Sequence, residues 1–145
     1  MNRPGLLTPA AAALISLLCM PVAIAGDLTV SVVGLESDKG DVHIALYDKP
    51  DQFPDSDGML FEEKVPVSAR QARIVFRNLE PGKYAIAVYH DENANHEFDQ
   101  GFLGIPLEDY GFSAGARAFL GPPTFEEAGF EVPEDNSSSV IDLGN

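Results

Sequence analysis

The stretch 83–90 constrains the fold most, because Tyr84, Ile86 and Val88 alternate with Ala85, Ala87 and Tyr89 and leave a period-two strand apolar on both faces. Such a strand belongs in the centre of a sheet. Runs of the same period surround it. Leu28, Val30 and Val32 alternate with Thr29, Ser31 and Val33 before Gly34; Val42, Ile44 and Leu46 alternate with His43, Ala45 and Tyr47; Ala72, Ile74 and Phe76 alternate with Arg73, Val75 and Arg77. The first two of these runs predict an antiparallel hairpin across the turn 37–41, with His43 a solvated or hydrogen-bonded surface residue opposite the Val42 row. Residues 59–67 predict a short irregular strand that Pro66 confines to an edge or a bulge, with Glu62 and Glu63 in a solvated turn. Residues 128–132 and 140–143 predict closing strands, and Thr124 is placed to cap one helical turn ending at Ala128. Short strands without a sustained helical period predict an all-β, antiparallel β-sandwich of about seven strands, immunoglobulin- or transthyretin-like.

The run Phe76-Arg77-Asn78-Leu79-Glu80-Pro81-Gly82-Lys83-Tyr84-Ala85-Ile86 resembles a hairpin of transthyretin-like and carboxypeptidase-regulatory-like β-sandwiches, which implies the same fold class.

Residues 1–25 carry a single charge, Arg3, then an apolar run over 10–20 too short for a stable membrane span, then Ala23-Ile24-Ala25. This pattern predicts a cleaved signal peptide over 1–25, a single mature domain over 26–145, and a periplasmic or secreted location. Cys19 follows Leu18, where lipid attachment wants a small residue, so no membrane anchor is expected after cleavage. The mature chain then has no cysteine, which excludes disulfides, thiolate metal sites and thiol nucleophiles. Without Arg3 it carries 8 basic and 23 acidic residues, a net charge of −15 with histidines neutral. That field disfavours nucleic acid and anionic lipid as partners and favours metal cations.

Within 89–99 the oxygen-bearing residues Asp91, Asn93, Asn95, Glu97 and Asp99 fall on every second position. A loop that curls once around a point aims such oxygens at a hard cation, and calcium is the natural candidate. With Asp91 as the first ligand position, Asn93, Asn95 and Asp99 are side-chain donors and Glu97 offers its backbone carbonyl. Phe102 stands where a bidentate glutamate closes the shell in helix-flanked calcium loops, so Glu92, Glu108, Asp109 or water must complete it. His96 replaces the usual glycine, and Asn95 is the residue expected to take the left-handed turn. The expected affinity is weak, about 10⁻⁴ to 10⁻³ M, as in extracellular structural sites. A competing reading puts zinc or another transition metal on His90 and His96 with Asp91 or His43. The bland reading is a loop closed by its own hydrogen bonds.

Residues 100–127 hold five glycines, three prolines and the aromatics Phe102, Tyr110, Phe112, Phe119 and Phe125. They form either a satellite core under a long loop or a groove for carbohydrate or peptide, with Tyr110 and Phe112 as the ligand-binding candidates. No motif for a serine nucleophile, a phosphate loop or a dinucleotide is present, so the expectation is a non-enzyme. The weakest alternative is a small metal-dependent hydrolase around His90, whose neighbour Asp91 points to the opposite face of a strand. The expected partner is an unidentified envelope or extracellular component.

Three blocks in order, His90-Asp91-Glu92-Asn93, then Gly104-Ile105-Pro106-Leu107-Glu108-Asp109-Tyr110-Gly111-Phe112-Ser113, then Gly121-Pro122-Pro123-Thr124-Phe125-Glu126-Glu127-Ala128, resemble the exported bacterial family known as domain of unknown function 2141. The resemblance implies a β-sandwich and export, and brings no activity with it. Ala94 and His96 stand where that family commonly carries glycines.

Overall fold

The computed structural model describes residues 25–144, so nearly all of the expected signal peptide lies outside the described residues. Two sheets face each other. The first has the order β4-β1-β8, from Ala72–Leu79, Gly26–Val33 and Ser137–Asp142. The second runs β3-β2-β5-β6, from Phe61–Pro66, Asp41–Tyr47, Gly82–Asp91 and Tyr110–Phe112, and β7, Phe130–Val132, also pairs with β5. A single helical turn, α1, spans Phe125–Ala128; Thr124 accepts from the Glu127 N–H while the Glu127 side chain accepts from the Thr124 N–H, a capping box.

Leu28, Val30 and Val32 of β1 and Phe76 of β4 meet Val42, Ile44, Leu46, Ile86 and Val88 of the opposite sheet in the main core. Each such fully buried aliphatic chain contributes about 1.5–3 kcal/mol relative to exposure. As expected from its two apolar faces, β5 is central: β2 lies along one side, while β6 and β7 share the other.

The expected hairpin between β1 and β2 does not form, because the chain crosses from one sheet to the other after Val33. Placing Leu28, Val30 and Val32 opposite Val42, Ile44 and Leu46 buries both rows, whereas a shared sheet would have left them side by side. One pairing departs from antiparallel order: β8 runs parallel to β1, with Leu28 opposite Ser137 and Val32 opposite Ile141. Glu62 and Glu63 lie within β3 and not in a turn, and β3 is the edge strand that Pro66 permits.

Gly40 joins the crossover to β2 with φ +63°, and a Cβ there would sit 1.8 Å from the Asp91 carbonyl oxygen. Only glycine combines that backbone angle with that approach. Gly40→Ala is therefore expected to destabilise the protein by at least about 2 kcal/mol, read as a lower denaturant midpoint at unchanged slope.

Candidate functional site

Register decides which side chains share the outer face of the larger sheet. His43 pairs with Tyr89 and Tyr89 with Tyr110; Ala45 pairs with Ala87 and Ala87 with Phe112. Directly opposed residues project to the same side, so two rows cross the sheet there. One row is His43, Tyr89 and Tyr110, and the other is Ala45, Ala87 and Phe112.

Loops close over these rows. Ser113 is fully buried; its hydroxyl accepts the Ile86 N–H at 2.8 Å and donates to the Ala128 carbonyl at 2.5 Å, which ties the segment after β6 to β5 and α1. A second, smaller core of Ala45, Tyr47, Ala85, Phe125 and Ala128 forms beneath, with Phe53 and Phe112 packed against it. The satellite core expected of the aromatic segment forms, though not from all of its rings. Phe112 and Phe125 pack, whereas Phe102 and Phe119 are 84% and 87% exposed.

Between the small core and the 91–99 loop lies a groove of about 660 Å³. Its floor is low because Ala45 and Ala87 are small. Its walls are rings in successive contact: Tyr89 with Phe98 at 5.3 Å between centroids, Phe98 with Tyr110 at 5.9 Å and Tyr110 with Phe112 at 5.9 Å. Ile105 and Leu120, 61% and 98% exposed, stand on its rim. The candidates Tyr110 and Phe112 both line it.

At one end of the groove sits His43, which is 2% exposed and so not the surface residue expected from its strand position. The loops cover the outer face that the alternation assigns to solvent. His43 stacks on Tyr89, ring centroids 4.4 Å apart. Its Nδ1 lies 2.8 Å from the Tyr89 hydroxyl and 3.2 Å from Glu62 Oε1, while Nε2 is buried, has no hydrogen-bond partner and faces Asp91 Oδ2 at 3.6 Å. Burial first, then the carboxylates of Glu62, Asp91, Glu108 and Asp99, push the Tyr89 hydroxyl up, so it stays protonated.

Asp91 is fully buried at the end of β5. Its Oδ1 accepts the Asn95 N–H at 3.2 Å and its Oδ2 the His96 N–H at 2.7 Å. Burial raises its carboxyl pKa, but backbone N–H groups of His96, Asn95 and Ala94 and the nearby His43 outweigh it, and the net direction is down.

Asn93 and Asn95, expected as calcium ligands, make their bonds within the loop. Asn93 Oδ1 accepts the Asn95 N–H and Asn95 Oδ1 the Glu97 N–H, each at 2.9 Å. The amides of Asn93 and Asn95 donate to Asp99 at 2.7 Å and 3.0 Å. These are Asx-type bonds that close the loop on itself. Asn95 does not take the sharp turn: Ala94 and His96 do, with φ +56° and +64°, the places where the family pattern puts glycine.

Among the described residues, the one group of three histidines or carboxylates with ligand atoms all within 4.8 Å of one another is His43, Asp91 and His96. The zinc reading from the sequence held all three, with His43 only as an alternative to Asp91 and alongside His90; the register that pairs His43 with Tyr89, on the face of Asp91, brings them together. His90 is elsewhere, buried on the opposite side of β5 with Nε2 2.8 Å from the Lys39 carbonyl oxygen.

The fold and site define a two-sheet β-sandwich with a loop-covered outer face and an aromatic groove. The chain belongs to the family described as "Uncharacterized protein conserved in bacteria (DUF2141)", whose model matches residues 30–140. No curated protein matches it. Two structures of a pilus-presented adhesin (Cpa) are similar at 13% identity, with TM-scores of 0.27 and 0.25, over 83% and 82% of this chain; the chain spans 27% of the length of each.

Glu108 adds a pH dependence. Its Oε2 accepts the Asp99 N–H at 3.1 Å, its Oε1 is buried without a partner, and burial first, then the carboxylates of Asp91 and Asp99, raise its pKa above the usual 4.5. An acid raised on folding favours the native state when protonated, so its contribution is lost as pH rises through the folded value. Asp91 acts oppositely, since its lowered pKa sustains stability until pH falls below 3.8. Glu108→Gln is accordingly expected to shrink the gain in melting temperature between pH 7 and pH 5, measured by a pH series on both proteins.

Proposed function

We propose that this protein is an exported, non-enzymatic binding module whose groove takes a peptide segment presenting apolar side chains. The groove carries the reading: a concavity of about 660 Å³ falls in the size range of ligand sites and has mostly apolar walls. The exposed Phe102, Leu103, Ile105, Leu107, Phe119 and Leu120 on the flanking loops are the kind of apolar surface that marks an interaction site. Carbohydrate is the less suited occupant, because the lining is mostly apolar and offers few polar groups to a sugar's hydroxyls. A formal charge of −14 disfavours anionic partners. Export rests on the pattern of residues 1–25, and the partner is then a component of the envelope or its surroundings.

Calcium in the 91–99 loop is a second proposal. Its support is the buried, unpartnered Glu108 oxygen beside Asp99, a carboxylate available to complete a shell with Asp91, Glu97 and Asp99. Binding there requires the amides of Asn93 and Asn95 to leave Asp99 and turn their oxygens inward. Millimolar calcium should then raise the melting temperature by about 2–5 °C, and no shift removes the proposal.

A peptide and glycan array probed with the mature protein tests the groove. Binding is expected to peptides rich in Phe, Leu and Met, and Tyr110→Ala or Leu120→Ser should weaken it roughly tenfold while the fold persists. Binding to glycans alone, or peptide binding indifferent to both substitutions, overturns the reading.

A further inference from the structure

We propose that His43, Asp91 and His96 bind a divalent transition-metal ion, zinc(II) or copper(II), at the end of the groove. The site does not depend on what the groove holds.

The orphaned nitrogen is the starting point. Glu62, when ionised, can only accept, so with the proton of a neutral His43 on Nδ1 that nitrogen donates to Glu62 at 3.2 Å and to the Tyr89 oxygen at 2.8 Å. Nε2 is then a bare lone pair, buried and unpartnered, directed at a carboxylate oxygen 3.6 Å away. Two electron-rich atoms facing each other, both buried, call for a cation between them. His96 adds a third donor, its Nδ1 lying 3.7 Å from the same Asp91 oxygen.

The spacing fits a small ion. Ligands about 2.0–2.1 Å from a tetrahedral centre lie roughly 3.3–3.4 Å from one another. The two separations from Asp91 Oδ2, 3.6 Å and 3.7 Å, are within a few tenths of that, and all three ligand atoms lie within 4.8 Å of one another. His96 is half-exposed on a loop, so it can close the remaining distance and leave an entry path. Two imidazoles and one carboxylate suit zinc or copper and do not suit calcium, which takes oxygen.

The outer contacts are those of an oriented ligand set. His43 Nδ1 is held by Glu62 and by the Tyr89 hydroxyl, which orients the ring. Asp91 is held by the Asn95 and His96 N–H groups, which keep it ionised and aimed. His96 itself sits at φ +64°, where glycine is the easier residue, and it is this strained position that brings the imidazole beside Asp91.

The experiment uses tag-free mature protein stripped with a chelator, titrated calorimetrically with zinc chloride and, separately, with calcium chloride. Zinc is expected to bind at one equivalent and to raise the melting temperature by about 3 °C or more, with calcium failing to compete. His43→Ala should abolish binding; because His43 is buried, His96→Gly is the safer variant, as it relieves the left-handed strain. His96→Gly is expected to keep or raise the metal-free melting temperature and to weaken zinc at least tenfold. Copper(II) should show two coordinated imidazole nitrogens by electron paramagnetic resonance in the wild type and one in His96→Gly. Absence of stoichiometric zinc binding, unchanged affinity in His96→Gly, or equal displacement by calcium overturns the proposal.

Discussion

A buried carboxylate at the end of the central strand organises the groove end of this molecule. Asp91 closes β5, and its two oxygens accept the backbone N–H groups of Asn95 and His96, so the chain must turn sharply as soon as the strand ends. That turn sends Phe98 back against Tyr89 and Tyr110, where it becomes a groove wall. It also sets His96 beside His43. An ionised carboxylate in a dry place is tolerable only with such donors around it, and each hydrogen bond to it contributes about 1.5–3 kcal/mol. Gly40 completes the arrangement from the other side by letting the crossover loop press on the Asp91 backbone.

The groove follows from residue size in two adjacent rows. Ala45 and Ala87 lie opposite each other at the centre of the sheet and leave a hollow, while Tyr89, Tyr110 and Phe112 stand around it. The outer face is therefore covered without being filled. Ser113 anchors the covering segment by bonding to both β5 and the last residue of α1, which keeps the hollow open without a disulfide. Ile105 and Leu120 on the rim, and Phe102 and Phe119 on the loops beyond it, remain in water, a condition that a partner would relieve.

Much of this was legible in the residues. Every strand with a clean period of two emerged where expected, and the capping pair Thr124 and Glu127 marks its helical turn unmistakably. Pairing was less legible, because alternation reports which side of a strand is buried and is silent on which sheet the strand joins. Hence β1 and β2, adjacent in sequence, face each other across the core. β8 begins at Ser137, three residues before its first apolar side chain, since a run of serines carries no period. The burial of His43 is a tertiary effect of loops returning over its face. In the 91–99 loop the alternation of oxygens was real, but side-chain oxygens two residues before a backbone N–H accept from it readily, and Asn93 and Asn95 do so. Strain at Ala94 and His96 shows the loop holding a glycine-like course without its glycines.

The relation between His43 and Asp91 can be read directly from nitrogen-15 NMR of the imidazole rings in metal-free protein at neutral pH. The expected spectrum has the His43 proton on Nδ1 and an unprotonated Nε2 facing the carboxylate. A proton fixed on Nε2, pointing at Asp91, would contradict it and would leave no bare nitrogen there for a cation.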